Sequence, residues 1–554
     1  MYEADITPLP FWGAVTSSKM GRDPLAVQNS SVVIYSNMVR GITNVTGRVR
    51  YNGFFCWLLT FIAERLLVEN KSEVDNPKLQ ILYIRRAELL LAYVMAYNFP
   101  KVLGVNGSIF AQRHIRDDGP YLDLAKGADL ENKPEVYWQN SYGVFGQYYI
   151  GVLSQLRLVY LPDSSHRTYR VTKSGRRLCE IFRKSLGDSG EEMFWHAISS
   201  GEIAKDELKM FTGLALHVVS SEEELQEYSH IFCGYDSKDV MGNELHHRLN
   251  TMKMLLRYAE GKGATVDRRD FMLSFLKNNF LSVLDAGLEV SDEEQSWFLY
   301  ELNELTHAAY EAFHFAVLYT ATEEPQPLDN VIGRLEREYK SCVSEETPCV
   351  IGETLSVSKE SPSMDSVHKS RQTDGSECAD VYVLYERLNA CYKEKTYGAL
   401  IRVASLLLFA LYKVVEKHIP MLMEYAQNEN YDTDNQGFAP TLLLRHVGDG
   451  SVDCDWLFAE ECIYSAINDH LRSSYSKSSV GQGVVHNYMI EDGLIWQLRL
   501  PEPIRTSPRL QNMLQYIEDM KWIERADRYY NITERGLNVL NKEQPQTSLK
   551  KNMS

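Results

Sequence analysis

Residues Trp138 to Lys184 read WQNSYGVFGQYYIGVLSQLRLVYLPDSSHRTYRVTKSGRRLCEIFRK, and the hydrophobic period changes twice within them. Phe145, Tyr149, Val152, Leu153 and Leu156 recur at i, i+4, i+7, i+8 and i+11, the spacing of one buried helix face. That face leaves Gln147, Tyr148, Gly151, Ser154 and Gln155 directed outward. From Leu158 to Leu161 the pattern becomes that of a strand, Pro162 to Ser165 supplies a turn, and Thr168 to Val171 returns. Thr172 then has the chemistry of an N-cap, opening a last helix with Leu178, Ile181 and Phe182 inside. The predicted order is helix, two-stranded hairpin, helix. Arg157 to Lys184 contains eight basic residues against Asp163 and Glu180, a local +6 in a chain whose net charge is -17. A chain that acidic repels nucleic acid as a whole, so any contact has to come from a local patch such as this one.

The order resembles the winged helix-turn-helix of MarR-like bacterial regulators, carried by Leu153, Leu156, Leu158, Val159, Asp163, Arg167, Val171, Thr172, Gly175 and Leu178. In those regulators the helix before the wing enters the major groove and the wing touches the backbone. The resemblance therefore implies Gln147, Tyr148, Ser154 and Gln155 at the groove and Arg157, Arg167 and Arg170 at phosphates. Lys173, Arg176 and Arg177 extend the same basic surface. Gly143, Gly146 and Gly151 depart from the pattern, since they leave that helix short of the polar side chains a base reader uses. The expectation is backbone binding over sequence reading.

Near the C-terminus the same order recurs. Ser507 and Pro508 open a helix through Met513, Leu514 and Ile517, then come Trp522-Ile523, Tyr529 to Ile532 and a last helix from Thr533, with Thr533 and Gly536 matching Thr172 and Gly175. Arg505 to Glu543 holds seven basic and six acidic residues, so this second module reads as a docking surface. The expected fold class is thus mainly α, a multi-domain helical protein with two winged-helix α+β modules.

Working outward, 554 residues exceed one hydrophobic core and suggest roughly three or four units. The expected division is an N-terminal helical domain over 1–135, the winged helix over 136–187 and a helical domain over 188–343. A Ser-, Glu-, Asp- and Lys-rich linker over 344–380 follows, then a helical segment over 381–448, a C-terminal winged-helix-like domain over 449–545 and a tail over 546–554. Nine unclustered cysteines suggest reduced thiols and a cytoplasmic setting. The first residues lack the basic and apolar regions of a signal peptide, and the apolar runs at Glu88 to Tyr97 and Ala399 to Tyr412 fall short of the roughly 20 residues of a membrane span. No membrane association is expected.

The segment Asn44-Val-Thr-x-Arg48-x-Arg50-Tyr51, leading to Phe55-Cys-Trp57, is similar to uncharacterised bacterial proteins found beside restriction and phage-defence genes. That likeness implies a defence or mobile-element role, with catalysis left to a partner such as an ATPase or nuclease. Arg40, Arg48 and Arg50 could bind phosphate or pair with acidic neighbours. In the long helix expected from Asp292 to about Thr322, Glu304, His307, Glu311 and His314 fall on one stripe. Such Glu-x-x-His pairs ligate metal in di-iron bundles, but no second helix offers a matching pair, and the stripe reads as polar groups satisfied between helices. P-loop, dinucleotide-fold, nucleophile-elbow and HExxH strings are absent from the sequence, and no cofactor is expected. The favoured expectation is a non-enzymatic protein that binds DNA or assembles a DNA-associated complex. A kleisin-like scaffold of an SMC-type ATPase complex and an effector enzyme with a site assembled only by folding are the alternatives.

Overall fold

A computed structural model describes residues 23–117, 119–219, 221–233, 242–263, 266, 271, 290–344, 377–435, 437–448, 455–479 and 485–541. Over these the chain is mainly helical with a few short strands. It folds as two compact units, each assembled from two stretches of sequence: 1–36 with 269–506, and 37–268 with 507–554. The expected linker at 344–380 falls inside the first unit, and most of it lies outside the described residues.

The first unit is built on the helix Asp292–Thr320, whose start is fixed by a capping box. Ser291 Oγ accepts from the Glu294 amide at 3.2 Å while the Glu294 carboxylate accepts from the Ser291 amide at 3.1 Å, satisfying two amides the helix itself leaves unpaired. Most of its length is buried, because Tyr397–Val415, Trp456–Ser479, Leu328–Ser344 and Ala439–His446 pack around it. A small antiparallel sheet has Leu494–Gln497 between Gln326–Pro327 and Tyr488–Glu491. Its tight hairpin turns at Asp492 and Gly493, both at positive φ, where the sequence predicts a turn.

Tyr51–Glu69 is the core of the second unit, with Phe54, Trp57 and Phe61 buried on it. Tyr397–Val415 runs past the apolar run read at Ala399 to Tyr412, and both it and Tyr51–Glu69 are long and apolar enough to cross a membrane. Both are mostly buried in the protein interior. Residues 100–135, where glycines and prolines at 104, 107, 119, 120, 127 and 134 predict irregular structure, instead carry the helix Ser108–Ile115 and the strand Tyr121–Asp123, which pairs with Glu202–Ala204. Glycines and prolines there punctuate short elements and do not exclude them.

The helix–hairpin–helix order appears at both expected places in this unit. In the first, a π-helical turn Phe145–Tyr149 runs into the helix Ile150–Gln155, followed by paired strands Val159–Tyr160 and Arg170–Val171 and the helix Lys173–Arg183. In the second, Leu510–Asp519 is followed by Ile523–Ala526 paired with Tyr529–Ile532, then Glu534–Asn541.

Candidate nucleic-acid interface

The two copies match bond for bond. The first helix of each ends in a left-handed residue, Arg157 at φ 56° and Lys521 at φ 56°. The next amide donates back into that helix, Leu158 to the Leu153 carbonyl at 2.8 Å and Trp522 to the Ile517 carbonyl at 3.0 Å. After each hairpin a threonine amide donates to the carbonyl at the hairpin's start, Thr172 to Leu158 at 2.9 Å and Thr533 to Trp522 at 3.0 Å. Each threonine hydroxyl oxygen then caps the last helix by accepting from Gly175 or Gly536, at 3.1 Å in both. Glycine is required at that step, because a Cβ would lie 2.1 Å from the Leu158 or Trp522 carbonyl oxygen. Thr-x-x-Gly is therefore a closure motif for hairpin and helix together.

Neighbouring elements hold the first copy in place. Phe145, Tyr149, Val152, Leu153 and Leu156 form the buried face that the spacing predicts. Glu88, from the helix Pro77–Asn98, accepts from the Val144 amide at 2.9 Å and the Phe145 amide at 2.5 Å, so a carboxyl group sits at the start of the first helix. Burial pushes this carboxyl up to about 7, against the opposing effect of those hydrogen bonds. Asp75 accepts from the Arg167 and Thr168 amides at 2.8 and 3.2 Å, and the Gln80 amide group both donates to and accepts from the Tyr169 backbone at 2.9 Å. Sequence reading missed all three anchors. Their partners lie 56 or more residues away, and an isolated acid or amide carries no local signal.

The outward residues divide into two sets. Gln147 is exposed, but its Oε1 accepts from the Trp138 indole at 2.7 Å, and Tyr148 meets the same indole edge-on at 5.6 Å. Gln155 Oε1 accepts from the Gly41 amide at 3.1 Å, and Ser154 is half-buried. Three of the four expected groove residues thus already serve internal contacts. Gly151, between them, is exposed, and a Cβ there would meet nothing within 4 Å.

The basic residues are likewise unequal. Arg177 pairs with the buried Glu227 at 2.8 Å and Lys184 with Glu223 at 2.6 Å, both on the helix Glu222–Cys233, while Arg183 pairs with Glu191 at 2.7 Å and also with Glu64. Arg170 lies 3.6 Å from Asp163 and near the Tyr160 ring. Arg157, Arg167, Lys173 and Arg176 are exposed, and of these Arg167, Lys173 and Arg176 make no ion pair among the described residues. The +6 of the sequence is thus cut by acids brought from elsewhere, and what remains is concentrated on the hairpin and the first turns of Lys173–Arg183.

The second copy is enclosed differently. Its two-residue turn, Asp527-Arg528, leaves no long wing, and Tyr529 and Tyr530 bridge to Gly263 and Glu260. Asp519, at the end of its first helix like Gln155 in the first copy, accepts from the Val49 amide at 3.1 Å and pairs with Arg48 at 2.8 Å. The equivalent helix ends of both copies therefore bond to the same segment, Gly41 to Val49. Arg50 beside it is fully buried, pairing with Glu224 at 2.8 Å and donating to the Gly213 and Ala215 carbonyls. Arg48 and Arg50 are pairing residues here, and the segment is a structural hub.

In the first unit the stripe on Asp292–Thr320 is drawn apart. Glu304 accepts from Thr506 and Arg505, His307 Nε2 meets the Gly437 carbonyl at 2.5 Å, Glu311 accepts from Gln28 at 2.9 Å, and His314 lies between Tyr488 and Asn487. Among the described residues no group of three or more His, Cys, Asp or Glu is placed to hold a metal ion. Comparison of the chain with family models, with curated proteins and with solved structures finds no match.

Proposed function

We propose that the chain is a non-enzymatic DNA-binding or DNA-complex-assembly protein in which residues 145–183 act as a winged helix-turn-helix on the phosphate backbone of duplex DNA. The observation that carries this reading is the exposed group Arg157, Arg167, Lys173 and Arg176 on the hairpin and the helix behind it, in a chain of net charge -17. Phosphate contacts position a protein without reading sequence, and the internal use of Gln147, Tyr148 and Gln155 favours that mode. Residues 510–541 are a second winged helix with a structural and docking role, near neutral and with its hairpin covered by 260–263. Such a protein places a partner, an ATPase or nuclease, on DNA, in keeping with the bacterial defence or mobile-element role that the Asn44 to Trp57 likeness implies.

Titration of the full chain against a fluorescent duplex tests this. Binding should weaken as salt rises, by about 0.9 in log–log slope for each phosphate contacted. Changing Arg167, Lys173 and Arg176 together to Glu should flatten that slope by about 2.7, equally for unrelated duplex sequences. A folded triple variant that binds with unchanged slope overturns the assignment.

A further inference from the structure

Within the first unit, a cavity of about 60 Å³ is lined by Gln28, Glu304, His307, Glu311, Tyr392 and Arg505, among others. It has space for a few water-sized groups, enough for the head of a ligand.

Its polar lining is unevenly satisfied. Arg505 is engaged with Glu301 at 3.2 Å and Glu304 at 3.4 Å and sits over the Tyr385 ring, so that cation and Glu304 answer each other. Glu311 is 4% exposed, and its hydrogen bond is to the neutral Gln28 amide. It makes no ion pair among the described residues. Lys477 acts on it through space while donating to the Asp23 carbonyl. An ionised carboxylate buried without a bonded cation is costly, and burial, reinforced by Asp23, pushes this one well above the usual carboxyl range.

One helical turn away, His307 is 3% exposed, and Nε2 faces the Gly437 carbonyl, which fixes the proton on Nε2. Its Nδ1 is then a lone-pair acceptor, buried and with no hydrogen-bond partner among the described residues. The Tyr392 hydroxyl is in the same condition. Three groups that can accept from a cation therefore line one small cavity: the Glu311 carboxyl, which gives up its proton when a cation sits beside it, an imidazole nitrogen and a phenol oxygen.

We infer that this cavity binds the head of a primary alkylammonium ion, whose three N–H donors match Glu311, His307 Nδ1 and the Tyr392 oxygen. An anion would meet the Glu304 carboxylate and the lone pairs of His307 and Tyr392, and the ligand positions do not make a metal site. Ile504, exposed beside the cavity, leaves room for the alkyl chain to extend outward. This inference is independent of DNA binding.

Thermal melting of the full chain in methylammonium chloride, against equal concentrations of sodium and tetramethylammonium chloride, tests it. Methylammonium should raise the midpoint saturably by about 3 °C, and the two controls, which lack N–H donors, should not. Glu311→Gln should abolish the methylammonium-specific rise. If that variant does not fold, Tyr392→Phe, which deletes one hydroxyl, should reduce the rise at least twofold. A rise equal in tetramethylammonium, or one that survives in the folded variants, overturns the inference. Putrescine and an acetylated lysine amide then separate a free amine from a protein side chain, and response to neither also overturns it.

Discussion

Gly151 offers the sharpest test of where DNA would lie. It occupies the exposed face of the helix Ile150–Gln155, and a Cβ there meets nothing within 4 Å. Substitution costs no packing, and leaving glycine should favour the helix by about 0.5 to 1 kcal/mol. Gly151→Lys and Gly151→Glu should therefore both fold, with melting midpoints at or above that of the parent by circular dichroism. Their effects on DNA should be opposite. One added phosphate contact steepens the log–log salt dependence by about 0.9, which between 50 and 200 mM salt adds roughly a threefold loss of affinity for the Lys variant. The Glu variant should bind more weakly at low salt and with a shallower slope. Fluorescence anisotropy on a short duplex reads both. If the two variants fold and bind as the parent does, this helix does not face the backbone, and the groove assignment of Gln147, Tyr148, Ser154 and Gln155 falls with it.

Gly175→Ala and Gly536→Ala should each destabilise by about 2 to 4 kcal/mol in urea titrations. The new methyl group must displace a carbonyl that also accepts the Thr172 or Thr533 amide, and a loss under about 0.5 kcal/mol at either position refutes the closure role. The two units should respond oppositely to pH. In the first, burial lowers His307, takes His314 well below the ordinary range, and brings His446 and His470 to about 3. These histidines take up protons on unfolding, so their stability contribution is complete above about pH 6.5 and is lost as pH falls below it, by up to about 1.4 kcal/mol per pH unit each. Glu311, whose carboxyl is raised, offsets one of the four. In the second unit Glu88 at about 7 and Asp519 at about 6, both raised by burial, bind protons more tightly when folded, so stability falls as pH rises from about 4 to 7. Hydrogen exchange by mass spectrometry at pH 5, 6.5 and 8 should show protection moving from the second unit at low pH to the first at high pH. A parallel change in both refutes it.

Local signals in the sequence determined the helix face from Phe145 to Leu156, the hairpin after it, and the Thr-x-x-Gly step at both Thr172 and Thr533. Each depends on neighbours within a few residues, which periodicity, turn chemistry and capping report directly. The same holds for the Asp492-Gly493 hairpin turn. Tertiary structure alone decided which charges remain exposed, since Glu223 and Glu227 neutralise Lys184 and Arg177 from a helix some forty or more residues on. It also decided that Gln147 and Gln155 serve Trp138 and Gly41, and that Arg48 and Arg50 meet Asp519 and Glu224. It closed each unit from separated stretches of chain. Pairings of this kind are set by which burial leaves the fewest unpaired charges, and a partner hundreds of residues away leaves no period in the local sequence.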